Sequence, residues 1–250
     1  MDDARPNGSE DDLWETHADW WIDGFTDGAD PEYEEQILPL AAEELTGCGR
    51  VLDVGCGDGQ VSRLARRIGA GLVVGVDPTW NQVSVAAKRG GGIHVARAGA
   101  DGLPFGDATF DAVVACLVFE HIRAVDSAIA EVARVLVPGG RFCFFLNHPL
   151  LQTPGSGWID DQIIDPPEQY WRIGDYLIEQ ESVEEVEKDI FIPFIHRPLS
   201  RYINTLVAHG LVVTRMEEPA PPPGFLARAA EYESASTIPR LLYLRAVKPA

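Results

Sequence analysis

The sequence predicts an α/β chain on a doubly wound, seven-stranded, mostly parallel sheet, with an antiparallel edge strand and an insertion after strand five. Three observations carry this expectation. Between residues 50 and 147, apolar β-rich runs alternate with amphipathic helical stretches. The runs are continuously apolar, as strands covered on both faces must be. After residue 147 the alternation stops, and the chain closes with two strands that lack an obvious crossover helix between them.

The strand runs are "RVLDVG" (50–55), "GLVVGVD" (71–77), "GIHVARA" (92–98), "FDAVVACL" (110–117) and "RFCFFLN" (141–147). Between the first two, "GQVSRLARRIG" sets Val61, Leu64, Ala65 and Ile68 on one face and stops at glycine. Before the fifth, "VDSAIAEVARVLVPGG" sets Ile129, Val132, Ala133 and Leu136 inward. Asp126 is its expected N-cap and Pro-Gly-Gly its terminator. Residues 148–198 form a 51-residue insertion rich in aromatics and acids, too long for a bare connector, so a lid or binding element is expected. A helix (198–210), a strand (211–216), a stiff proline-rich connector (218–225) and a last strand (240–247) follow. The whole reads as one domain, 1–250. It divides into a helical cap (1–45), a core (46–147), the insertion (148–198) and a closing helix with edge strands (199–250).

Composition is that of a soluble globular chain, with 46% hydrophobic and 24% charged residues. The net charge of −19 is concentrated. Residues 1–35 carry −12 and residues 158–190 carry −9. Such a surface repels phosphate backbones, so no nucleic-acid partner is expected. No apolar run approaches the ~20 residues of a membrane span. The acidic N-terminus lacks the features of a secretory signal. Cys48, Cys56, Cys116 and Cys143 show no metal spacing and read as reduced thiols, so a cytoplasmic location is expected. Oligomeric state stays open, with a homodimer the form association would take.

The chemistry starts at "VLDVGCGDGQ", Val51 to Gln60. A glycine loop that follows a strand and opens a helix is the context of cofactor binding. A dinucleotide fingerprint needs G-x-G-x-x-G. Counted from Gly55, its third glycine would fall at Gln60; the sequence has it one residue early, at Gly59. The nicotinamide reading therefore fails on register.

The spacing D-x-G-x-G-x-G resembles the first motif of class I S-adenosylmethionine-dependent methyltransferases, most closely the type 11 small-molecule group. "VVGVDP" is similar to the second motif, with Asp77 closing the strand. "AGADGLPFGDATFDAVVA" resembles the stretch that sets Asp101 near the adenine. "EVARVLVPGGRF" resembles the helix and turn before strand five. Together they cover about residues 45–147, four motifs in register.

The resemblance implies a Rossmann-like methyltransferase fold and S-adenosylmethionine as cofactor, with S-adenosylhomocysteine as product. The expected contacts are Asp53, Gly55, Cys56, Gly57, Asp77, Pro78, Gln82, Ala100, Asp101, Gly102 and Leu117. Asp77 suits both ribose hydroxyls by charge-assisted bonds. Asp101 suits the adenine amine, Gly55 and Gly57 the methionine moiety, and Asp53 the loop and the cofactor's ammonium. The donor is cationic at sulfur, and the loop holds no Lys or Arg.

An oxygen nucleophile benefits from a general base, most often His near neutral pH. His148 is the first choice, directly after the fifth strand and before Pro149. Glu120 and His121 follow the fourth strand, and His196 ends the insertion. "WETHADWWIDGF" resembles the family's leading helix, with Trp14, Trp20 and Trp21 able to line the pocket. Asp160, Asp161 and Asp165 read as a solvated loop ahead of a Mg²⁺ site, so no metal is expected. Aromatics of the insertion (Trp158, Tyr170, Trp171, Tyr176, Phe191, Phe194) among acids suggest a pocket for a neutral or cationic small molecule. O-methylation of a sugar or other hydroxylated metabolite is the leading expectation. The alternatives are N-methylation of a cationic amine, or a catalytically silent binding protein of the same fold.

Overall fold

The computed structural model describes residues 11–232 and 234–250. The first ten residues of the expected cap lie outside these. Two short helices lead, α1 (Asp11–Thr16) and α2 (Ala18–Phe25). A wide π-type turn, Tyr33–Ile37, then runs straight into α3 (Leu38–Leu45). The alternating core follows as β1 (Arg50–Val54), α4 (Gln60–Arg67), β2 (Leu72–Asp77), α5 (Trp80–Arg89), β3 (His94–Arg97), β4 (Phe110–Cys116), α6 (Val125–Val135) and β5 (Leu136–Asn147).

The insertion folds as two antiparallel hairpins. One is β6 (Gly157–Asp161) with β7 (Glu168–Arg172); the other is β8 (Gln180–Glu187) with β9 (Ile190–His196). Helix α7 (Leu199–Ala208), β10 (Val212–Glu217), α8 (Pro223–Arg228) and β11 (Leu241–Val247) close the chain. The seven-stranded sheet has the order β10-β11-β5-β4-β1-β2-β3. Strand β11 runs antiparallel to both β5 and β10, so the antiparallel strand sits one place in from the edge.

Side-chain alternation on β4 shows why the runs are apolar throughout. Val113 and Ala115 join a core with Ile129 and Val132 of α6 and Leu206 of α7. Ala112, Val114 and Cys116 point the other way, into a core with Ile37, Ala41 and Leu45 and with Val61 and Leu64 of α4. Both faces are dry, so a strand pays for a polar residue on either side.

Three local expectations are corrected. Helix α6 starts at Val125 with Ala124 in the N-cap position, and Asp126 sits in its first turn, where its carboxylate pairs with Arg201 instead of capping. Pro-Gly-Gly does not end that helix, because β5 already begins at Leu136. Residues between the Phe110–Leu136 and Ala112–Arg141 pairs bulge out of register, with Gly139 at φ +79°. The proline-rich connector runs into α8, which begins at Pro223, a position where the proline's missing N–H would have had no helical partner.

Candidate active site

A cleft of about 860 Å³ opens at the C-terminal ends of β1, β2 and β4. This is where an open α/β sheet places its ligands. Its floor is the loop after β1. The amides of Gly55 and Cys56 both donate to the carbonyl of Val76, at 2.8 and 3.0 Å. Gly55 has φ +70°, and a Cβ there would stand 2.4 Å from the Val118 side chain. Only glycine lets the turn lie this close to the segment after β4. At Gly57 a Cβ would stand 3.7 Å or more from every neighbour, so that face of the loop is open to the cleft.

Carboxylates dominate the wall. Asp77, the last residue of β2, accepts N–H bonds from Gly57 (3.0 Å) and Thr79 (2.8 Å). Burial raises its carboxyl above the usual range, and those two bonds partly offset the effect. Asp53 accepts the hydroxyl of Ser62 at 2.6 Å, and burial pushes it up to about 7. Asp58 pairs with Arg63 and Arg89, whereas neither Asp53 nor Asp77 has a cation beside it. Gln82 donates its amide to the Ala18 carbonyl, while its Oε1 is buried without a partner. Buried acceptors without cations suit a ligand that brings its own positive charge and donors.

The N-terminal helices form the cleft's outer side. Glu15 accepts the amides of Trp80 and Asn81 (2.7 and 2.9 Å), capping α5 from another element. Trp14 and Trp21 line the cleft. Trp20 does not; its indole N–H reaches Glu187 on β8 at 2.8 Å.

Of the expected cofactor contacts, Asp53, Gly55, Cys56, Gly57, Asp77, Pro78, Gln82, Ala100, Asp101 and Leu117 all line this cleft. Leu117 is held at φ +55°, a left-handed conformation that few side chains adopt. Gly102 is exposed and outside the lining, turned away after Gly99.

The expected bases need correction: His148, Glu120 and His196 are all outside the cleft lining. His148 Nδ1 accepts the Leu150 amide at 3.1 Å, which leaves Nε2 to donate to Glu218 at 2.7 Å. Both ring nitrogens are thus engaged, one by the turn it sits in and the other by Glu218 after β10. Glu120 is buried, with Oε1 accepting both the backbone and side-chain amides of Asn147, and burial pushes it up to about 7. His196 packs on Tyr176 and donates Nε2 to the Tyr176 carbonyl at 2.8 Å.

His121 is the histidine in the cleft. It ends a short 3₁₀ turn, Phe119–His121, just past β4. In sequence His148 stands ahead of it, directly after a strand end and before Pro149, whereas His121 resembles a position that is commonly polar in the family without being catalytic. Hairpin β8–β9 holds it there: its Nδ1 lies 2.7 Å from the Pro193 carbonyl. The other hairpin, β6–β7, packs on the C-terminal segment, with Trp158 stacked on Tyr232. No residue of the insertion lines the main cleft. Of its aromatics, Phe194 alone reaches a small side cavity beside His121. Among the described residues no group of three or more His, Cys, Asp or Glu can hold a metal. No helix among them is long and apolar enough to cross a membrane.

Residues 52–144 match the methyltransferase-domain family. The sheet superposes on an S-adenosylmethionine-dependent methyltransferase from Mesorhizobium loti with a TM-score of 0.73 and 27% identity, covering 88% of this chain and 100% of that one. Residues 52–144 of this chain are thus similar to methyltransferase domains. Two curated relatives share that methyltransferase core. A demethylmenaquinone methyltransferase of Thermobifida fusca is 35% identical over 154 residues, 55% of this chain and 64% of its own length. A ubiquinone biosynthesis O-methyltransferase of Rhizobium johnstonii is 38% identical over 106 residues, 41% of this chain and 42% of its own length. The chain thus spans less than two thirds of the curated relatives it matches. The family's cofactor is S-adenosylmethionine. The site fits that donor: the loop of residues 55–59 holds no Lys or Arg, and Asp53, Asp77 and the orphaned Gln82 Oε1 stand beside it.

Proposed function

We propose that this chain transfers a methyl group from S-adenosylmethionine to a hydroxyl of a small acceptor, a sugar or another hydroxylated metabolite. The observation that carries the reading is the pair of buried, cation-free carboxylates, Asp53 and Asp77, beside the open face of Gly57. When bound, S-adenosylmethionine supplies an electrophilic methyl on a cationic sulfur. Asp77 would hold the ribose hydroxyls, since each of its oxygens keeps a lone pair beyond its N–H bond. Asp101 would receive the adenine amine. Asp53 and the orphaned Gln82 Oε1 would face the methionine end, where the ligand's ammonium satisfies them. The protein's part in such a displacement is alignment and exclusion of water. Transfer to oxygen draws support from the O-methyltransferase named among the relatives.

Thermal denaturation with added ligand tests the donor. S-adenosylhomocysteine at about 100 times its Kd should stabilise the fold by about 2.7 kcal/mol. Stabilisation by NAD(P) in its place would overturn the reading. Incubation with cell extract and donor should give a small molecule heavier by one methyl. Tight donor binding with no methylated product would instead favour a silent binding protein.

A further inference from the structure

We propose that His121 is the base of the acceptor site, and that the acceptor is a planar phenolic or enolic hydroxyl that reaches it from the main cleft, alongside Trp14. The proposal rests on the methyl-transfer reading above and narrows its acceptor.

His121 lines two spaces at once. One is the donor cleft; the other is a side cavity of about 40 Å³ walled by Trp14, Pro193 and Phe194, with Ser182 at its edge. The side cavity has room for a few waters and none for a ring, so an acceptor would meet His121 from the main cleft, whose lining Trp14 shares. Its tautomer follows from its partner. The Pro193 carbonyl can only accept, so the Nδ1 that lies 2.7 Å from it carries the hydrogen. Nε2 is left with its lone pair, the atom a base needs.

The surroundings keep that lone pair weakly basic. The Trp14 and Phe194 rings both pack on the imidazole with centroids 4.8 Å away. Nδ1 has a peptide carbonyl as its partner, where a carboxylate would strengthen the base. The titratable pair on the cavity rim, Arg123 and Glu181, is bonded together at 3.2 Å. Burial accordingly holds His121 neutral, with its pKa pushed down to about 4.

Basicity then selects the acceptor. General-base catalysis weakens as the mismatch between base and acid grows. A phenol titrates near ~10, whereas water, which an alkyl hydroxyl approaches, lies near ~15.7. A weak base is less mismatched to the first than to the second. The aromatic wall adds a shape argument, since a flat ring offers a face to Trp14 where a puckered polyol offers hydroxyls. In the step, the acceptor oxygen forms a bond to the methyl carbon. The sulfur–methyl bond breaks with its electron pair staying on sulfur, and the hydroxyl proton passes to His121 Nε2 and on to solvent.

The test uses 4-nitrocatechol as the acceptor probe and methyl glucoside as the alkyl control. With S-adenosylhomocysteine present, 4-nitrocatechol should bind the wild type, and His121→Gln should weaken it about tenfold. S-adenosylhomocysteine affinity, read by calorimetry, should stay within twofold and certifies that the variant is folded. With S-adenosylmethionine, 4-nitrocatechol should be methylated ahead of methyl glucoside. His121→Gln should lower kcat by about 100-fold or more while the donor KM holds. Failure of 4-nitrocatechol to bind a protein that binds S-adenosylhomocysteine overturns the proposal. So does unchanged turnover in His121→Gln, or preference for the glucoside. If the wild type does not bind S-adenosylhomocysteine at all, the methyl-transfer reading itself falls.

Discussion

Asp53 stands at the end of β1 with Ser62 as its side-chain partner and no cation near. Its pKa rises from an ordinary 3.8 to about 7, so the folded chain binds a proton there that the unfolded chain has already lost. Stability from this residue is therefore lost as pH climbs from about 4 to about 7. Asp53→Asn removes that loss. The variant should gain stability over the wild type progressively across that window, as thermal melts at several pH values would show. A cationic donor works the other way, because it favours the ionised carboxylate. Donor affinity of the wild type should rise with pH to a plateau above about 7, and that rise should flatten in Asp53→Asn when read by calorimetry. A rise of equal slope in the two proteins would remove Asp53 from the donor site.

At the scale of elements, the hairpin β8–β9 is the part whose role differs most from its expected one. It does not close over the main cleft; it fixes the turn that carries His121. Arg197, directly after β9, is almost fully buried. It donates to the carbonyls of Phe119, Ile122 and Arg123 at 2.8 to 3.1 Å, and to Glu179 at 2.7 Å. A long planar cation with several donors is one of few side chains that can hold a turn this way. Arg197→Met leaves those carbonyls unpaired and should cost about 3 kcal/mol. Turnover should fall further than donor affinity, because the turn positions His121 and not the donor loop. The expected aromatic pocket was misjudged at this same scale. Composition showed that the insertion holds aromatics, but a hairpin sends alternate residues to opposite faces, and the two hairpins dock on different parts of the core.

Across the whole molecule the −19 charge repels itself. Raising ionic strength from about 0.01 M to about 1 M shortens the screening length from about 30 Å to about 3 Å. A relief of about 1 kcal/mol would raise the melting midpoint by about 2–4 °C. A midpoint that falls with added NaCl would mean that ion pairs such as Arg215 with Glu43 and Glu44 outweigh the repulsion.

The donor half of this protein was legible from local spacing. Strands β1 to β5 run parallel, so their C-terminal ends all lie at the same end of the sheet. Asp53, Gly57, Asp77 and Asp101 therefore meet wherever their strands are read in the right order. The surroundings of His121 obey no such spacing. Trp14 comes from α1, His121 from a turn after β4, and Pro193 and Phe194 from β9, so well over a hundred residues separate the outermost of them. Strand endings also looked alike in sequence, which placed His148 ahead of His121. What separates them is each ring's hydrogen-bond partners and its access to the cleft. Those are settled by packing between distant elements, because burial and partner choice depend on what the rest of the chain brings alongside.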